Sequence, residues 1–207
     1  MEQITAPRSL KEKQRQEREA LILQAAEEVL LEKGYHETSI DEIAARVGIA
    51  KGTVYLHFPS KEDLVIAIFE HEMQQLLQYI DSMESQLTAW GKIEAIFDVM
   101  HGGMMSKRMR LLFSISDSAG LKHLLVEKTG CLRETWDRLT VRLNSLFEEG
   151  KAEGAFDSTL PTMVMVSAFY SLLSPKSYDR LTADGQMSGE DIATYLKRIF
   201  LNGISAN

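Results

Sequence analysis

Apolar residues recur along this chain at steps of three and four, the spacing of one face of an α-helix. A first helix is predicted from Leu10 to about Lys33, with Ile22, Ala25, Ala26, Val29 and Leu30 as its inner stripe and Gly34 closing it. Two short helices follow between Ser39 and Lys61. In the first, Ile40, Ile43, Ala44 and Val47 share a face, Ser39 with Glu42 forms a capping box, and Gly48 makes the turn. The second runs from about Lys51 to His57, with Val54 and Phe58 as inward anchors and Lys51, Gly52, Thr53, Tyr55 and His57 left outside. So sparse an anchorage, with hydrogen-bond donors outward, suits a helix that enters a DNA groove.

The pattern continues to the end of the chain. Ser60 caps a helix whose positions Leu64, Val65, Phe69, Met73, Leu76 and Ile80 carry it to about Met83. A helix near Thr88 to His101 (Trp90, Ile93, Phe97 and Met100 inward) precedes a break at His101-Gly102-Gly103-Met104-Met105. A short helix follows near Lys107 to Ser116, then a long one from about Leu121 to Glu149, ended by Gly150 and Gly154. Ser158 or Thr159 caps a strongly apolar helix with Pro161 in its first turn. The polar segment from Pro175 to Ser188 reads as a loop, and Ile192, Tyr195, Leu196, Ile199 and Phe200 define a last amphipathic helix to Asn202. The predicted fold is all-α. An N-terminal three-helix unit with a helix-turn-helix (8–66), suited to DNA, precedes a C-terminal helical body (67–207).

Composition changes this picture little. With 207 residues, 44% hydrophobic and 26% charged, the chain can bury a sizeable core. A single cysteine, Cys131, excludes an internal disulfide and fits a reducing compartment. The N-terminus lacks the apolar core of a signal peptide and no run reaches the length of a membrane span, so a cytoplasmic location is expected. A net charge of −7 argues against DNA only on average, because groove contact follows local charge. Between Arg8 and Arg18 five basic residues face two acidic ones; a solvated tail and a DNA-tracking arm fit this excess equally. Histidines 36, 57, 71, 101 and 123 form no HExxH pair, and no P-loop, dinucleotide fingerprint or nucleophile elbow is present. No enzyme activity, metal or cofactor is expected.

The run GIAKGTVYLHFPSKEDL resembles the helix-turn-helix of the TetR/AcrR family of bacterial transcriptional regulators. The matching features are the Gly48 turn, the block from Gly52 to Phe58, and Lys61 with Leu64 opening the next helix. The resemblance covers roughly residues 15 to 66. It implies that Ala50 and Lys51 face bases while Thr53, Tyr55, His57 and Lys61 hold the DNA backbone. Side-chain chemistry agrees in part. Lysine can donate to guanine O6 or N7, Gly52 permits close backbone approach, and Tyr55 can donate to a phosphate or press on a thymine methyl. Thr38 and Ser39, at a helix N-terminus, read equally as caps and as phosphate ligands. Where the family often has a capping serine this chain has Ala50, which costs about 1 kcal/mol of helix stability.

The middle of the chain is rich in Met, Phe and Trp. Trp90, Phe97, Met100, His101, Met104, Met109, Phe113 and Trp136 are expected to line a site for a lipophilic small molecule, against the plainer reading of core packing. The helix from Lys61 acts as a lever in the family; a rigid strut fits the sequence as well. The two terminal helices resemble the family's dimer interface, with Met163, Val166, Phe169, Tyr170, Leu173, Ile192, Tyr195, Leu196 and Ile199 as contacts. The expected function is that of a homodimeric repressor released from a palindromic, double-stranded operator by a hydrophobic effector. An activator, a regulator without an effector, and a helical protein–protein adaptor are the alternatives.

Overall fold

A computed structural model describes residues 9–83, 87–105, 130–173, 175–182 and 187–206. These form nine α-helices: α1 (Leu10–Glu37), α2 (Ile40–Val47), α3 (Lys51–His57), α4 (Lys61–Ser82), α5 (Ala89–Met105), α6 (Gly130–Ala152), α7 (Thr162–Leu172), α8 (Pro175–Thr182) and α9 (Gly189–Ile204). The described residues contain no strand, only an isolated bridge between Phe156 and Ser205. The chain divides into two compact units between Phe69 and Glu70, within α4.

The first unit is built on α1. The Ser9 hydroxyl accepts from the Glu12 N–H at 3.3 Å and starts the helix. The predicted stripe of Ile22, Ala25, Ala26, Val29 and Leu30 is buried, as are Ile40, Ile43 and Ala44 of α2 and Val54 of α3, with α1 packed on α2 and α2 on α3. Gly34, at φ 78°, breaks the helical path as predicted, and one further turn follows to Glu37. Ser39 caps α2 by accepting from the Glu42 N–H at 3.3 Å. The reciprocal half of the expected capping box is not made. Glu42 instead meets Lys33 at 2.8 Å, while Arg46 grips both carboxylate oxygens of Glu32 at 2.7–2.8 Å. These pairs fasten α2 along α1.

The second unit closes around four mutually packed rings, Phe97 of α5, Phe147 of α6, Phe169 of α7 and Phe200 of α9, with centroids 5.5–6.4 Å apart. The capping box of α9 is complete, Ser188 and Asp191 each satisfying the other's backbone N–H. Three expectations fail here. The helix α5 runs on through Gly102 and Gly103 to Met105 instead of breaking at His101. The segment taken for a loop contains α8, because the polar run PKSYDRLT hides one deeply buried side chain, Tyr178. Neither Ser158 nor Thr159 caps α7: Pro161 occupies the cap, and Thr159 donates its N–H and hydroxyl to Asp157. The short helix expected near Lys107 to Ser116, the start of the long one before Gly130, and His123 lie outside the described residues, as does the side chain of Cys131.

Candidate nucleic-acid interface and effector cavity

The α2–α3 turn is set by Gly48, whose φ of 77° and ψ of 32° are left-handed. Its N–H bonds to the carbonyls of Ala44 and Ala45, and Ile49 N–H bonds back to Ala44, closing α2 and redirecting the chain. Helix α3 then starts at Ala50, which offers no side-chain cap. Only Val54 of this helix is buried; Phe58, just beyond it, is the second anchor. Ser39, Ala50, Lys51, Gly52 and Tyr55 are exposed and Thr53 is half-buried. A Cβ at Gly52 would meet nothing within 4 Å, so the fold itself does not require glycine there.

Three of the residues assigned to DNA present their side chains inward instead. Thr38 is buried and its hydroxyl donates to the Gly34 carbonyl at 2.7 Å. His57 is half-buried, its ring turned inward with Nδ1 3.1 Å from a Glu19 carboxylate oxygen of α1. Lys61 donates to the carbonyls of Tyr35 and Thr38 at 2.7 and 3.0 Å, which holds the α1–α2 connection. The partners of His57 and Lys61 are 23 to 38 residues away in sequence, beyond the reach of a periodicity argument, whereas that of Thr38 is four away.

Two residues of this surface escaped the sequence reading. Leu56 is 81% exposed, and the signal was available: it stands two residues from each of Val54 and Phe58, on the opposite side of α3. Asp41 accepts from Lys51 Nζ at 2.6 Å, and this carboxylate raises the lysine's pKa. Near Leu56, Lys11, Arg15 and Arg18 of α1 border an open groove that His57 also lines, which puts part of the basic N-terminal run beside the recognition helix.

In the second unit a cavity of about 250 Å³ opens between α4 and α5, lined by Glu72, Met73, Gln75, Leu76, Tyr79, Val99, Met100 and Gly103. Of the described residues expected to form a ligand site, Met100 alone reaches it. Phe97 belongs to the four-ring core, Trp90 packs on Phe156 at 5.8 Å, and Trp136 is exposed and stacks on Tyr170 at 4.7 Å. His101 Nδ1 lies 2.9 Å from the Tyr178 hydroxyl; burial lowers the imidazole's pKa. Met104 lies on α5 with its side chain outside the description, and Met109 and Phe113 lie outside the described residues. Helical spacing had found the inner faces of these helices but could not tell which inner residues share neighbours.

The dimer candidates divide as well. Met163 and Ile199 are 75% and 63% exposed, Tyr195 is exposed, and Val164, not anticipated, joins them at 54%. Val166, Phe169, Leu173 and Ile192 are buried within their own unit, and Tyr170 and Leu196 are half-buried. The first four side chains of this second group therefore belong to the chain's own core.

The sequence model of the tetR family of bacterial regulatory proteins matches residues 22–68, the span of α1 to α4 that carries this turn and recognition helix. Residues 22–68 thus carry the helix-turn-helix segment of the tetR family of bacterial regulatory proteins, whose members regulate transcription by binding DNA. It is 35% identical over 85 residues to the fatty acid metabolism regulator protein of Bacillus subtilis (strain 168), a match covering 41% of this chain and 44% of that protein. The chain thus spans less than half the length of this curated relative in the match. Two solved structures share the fold over most of their length. The fatty acid degradation regulator FadR from Bacillus halodurans superposes with a TM-score of 0.70 at 22% identity, over 89% of this chain and 94% of that one. FadR from Bacillus subtilis in complex with stearoyl-CoA gives 0.66 at 21% identity, over 89% and 98%. Among the described residues, no helix of the chain is long and apolar enough to cross a membrane.

Proposed function

We propose that this regulator is a cytoplasmic homodimeric repressor that binds a palindromic operator and leaves it when a hydrophobic small molecule occupies the second unit. Residues 8–66 form the DNA-binding domain, and 67–207 form the effector and dimerisation domain. The observation that carries the DNA half is α3, which buries one residue and turns Ala50, Lys51, Gly52 and Tyr55 to solvent. Ala50 and Lys51 face bases; Ser39, Thr53 and Tyr55 hold the backbone. The exposed apolar residues Met163, Val164, Tyr195 and Ile199 support a second copy of the chain as partner. Two recognition helices related by a two-fold axis read half-sites roughly 34–36 Å apart.

The cavity beside Met73, Leu76, Tyr79, Val99 and Met100 supports a lipophilic effector. The stearoyl-CoA bound by the Bacillus subtilis FadR makes a long acyl chain the first effector to try. Helix α4 is continuous from Lys61, just after the recognition helix, to the cavity-lining residues Met73 and Tyr79. An effector that favours a different position of α4 shifts the population away from the DNA-competent form, with no bond made or broken.

The test is selection from a random duplex pool at two salt concentrations, followed by titration of the enriched site with stearoyl-CoA. An inverted repeat is expected, released as stearoyl-CoA is added. Failure of folded, dimeric, denatured-and-refolded protein to enrich any repeat would remove the operator reading. Enrichment without release by stearoyl-CoA would remove the acyl effector alone.

A further inference from the structure

Lys51 is the first residue of α3, and its ammonium meets the Asp41 carboxylate of α2 at 2.6 Å. The pairing has a local cause. A cation at a helix N-terminus opposes the positive end of the macrodipole, and Ala50 brings no capping oxygen to soften that conflict. Asp41 stands in the first turn of α2, where a carboxylate is favoured, and reaches across to offset the misplaced charge. Its neighbour Glu42 is engaged elsewhere, by Lys33 at 2.8 Å and Arg46 at 3.9 Å. The two acids of this turn therefore do different work. Glu42 fastens α2 to α1, whereas Asp41 is turned to the recognition helix. Both partners of the Asp41–Lys51 pair are open to solvent, at 67% and 48%, on an exposed stretch that continues through Gly52, Tyr55 and Leu56.

We propose that Asp41 is a specificity-determining residue: it holds Lys51 away from phosphates, so that the lysine contributes only where base acceptors replace the carboxylate. This rests on the reading of α3 as the DNA-facing helix. A free lysine at a groove gains from any phosphate it meets, and that gain is blind to sequence. A lysine already holding a short, charge-assisted hydrogen bond gains little by exchanging one anion for another. Guanine presents O6 and N7 together at a fixed place on the major-groove edge, and two acceptors can outcompete one carboxylate oxygen. The Asp41 charge also repels every DNA strand, a penalty that only the correct base offsets by drawing Lys51 forward. Non-specific affinity falls more than operator affinity, and the ratio between them widens.

The test uses the full chain, with Asp41→Asn, Lys51→Ala and the double variant, binding the selected operator and a scrambled duplex of equal length over a salt series. Thermal unfolding first establishes that each variant is folded. Asp41→Asn should bind the scrambled duplex about two- to fivefold tighter, the scale of an exposed ion pair. Its log–log salt dependence should steepen by about one, as for one added phosphate contact, and its preference for the operator should fall. In the Lys51→Ala background the same change should tighten scrambled DNA clearly less, by the relief of repulsion alone. The proposal is overturned if Asp41→Asn leaves scrambled DNA unchanged, or tightens it equally with and without Lys51, since the carboxylate would then act only by repulsion. If Lys51→Ala leaves operator preference intact, the placement of Lys51 at the bases fails and takes the proposal with it. If Lys51→Ala relaxes preference while Asp41→Asn changes nothing, only the role of Asp41 fails.

Discussion

The Lys61 ammonium lies 4.2 Å from the centroid of the Tyr35 ring while donating to the Tyr35 and Thr38 carbonyls. The same ring carries a hydroxyl that donates to Glu62 at 2.6 Å, so two adjacent residues at the start of α4 grip the end of α1. Burial first, and then this hydrogen bond, push the Tyr35 hydroxyl well above its ordinary pKa, while the bond holds Glu62 below the usual carboxylate range. Lys61 is thus a clamp on the frame of the helix-turn-helix.

A clamp and a DNA contact fail differently. Lys61→Ala removes two hydrogen bonds from a charged donor and should destabilise the first unit by about 2 kcal/mol. Tyr55→Ala, on the exposed face of α3, should leave the unfolding midpoint nearly unchanged while weakening binding to all duplexes several-fold. Denaturant unfolding together with binding to operator and scrambled DNA separates the two. A Lys61→Ala protein of native stability with weakened DNA binding would return Lys61 to the phosphates.

At Gly150 of α6 the missing side chain has a definite reason. A Cβ there would be driven into the Phe156 ring, which is buried beside Trp90 and Phe147. Propensity alone makes Gly→Ala in a helix favourable by about 1 kcal/mol. Overpacking a rigid ring costs about 1–3 kcal/mol, so Gly150→Ala should lower the stability of the second unit despite the better helix former. The urea midpoint, measured with an unchanged slope, checks the sign.

How far the sequence could be read depended on how far apart the interacting residues lie. Ser39, Gly48, Val54 and Phe58 act on neighbours within a few positions, so caps, turn and helix register were legible. The opposite orientation of Leu56 followed from that same register and was there to be seen. Glu19 beneath His57, Tyr35 beside Lys61 and Phe169 against Phe97 come from 38, 26 and 72 positions away, set only by how helices pack. Those contacts turn the His57 and Lys61 side chains inward and seat Phe97 in the ring core. Helix α8 was missed for a related reason: among its described side chains only Tyr178 is buried, which leaves no period to detect.

Burial also sorts the residues of the terminal helices by what a charge would do to them. Met163→Glu or Ile199→Glu places a carboxylate where the isolated protomer exposes the side chain, and should change its stability by no more than about 0.5 kcal/mol. If the exposed apolar face seats a second copy, both variants should sediment as folded monomers and lose tight binding to an inverted repeat. Phe169→Glu should behave otherwise, failing to fold, because an unpaired charge would enter the four-ring core. Dimers that persist in both surface variants would move the interface to another face.

The His101–Tyr178 contact gives the second unit a pH dependence whose sign is fixed. Burial is the largest influence on the imidazole and holds it below its ordinary value of 6.5, against the opposing pull of Asp98 and Glu190. Tyr178, pushed up to about 12 by burial, keeps its proton throughout and can donate to the neutral ring at 2.9 Å. The folded chain therefore binds fewer protons at this site than the unfolded chain. Its stabilising contribution is complete above the unfolded value near 6.5 and is lost progressively as pH falls from there through the depressed folded value. His101→Gln removes the titration while keeping a polar side chain. Between about pH 7.5 and 5 the unfolding free energy of the wild type should fall more steeply than that of His101→Gln, the difference between the two curves cancelling the other histidines. Parallel curves would mean that His101 has the same proton affinity folded and unfolded, and that its packing on Tyr178 does not hold it neutral.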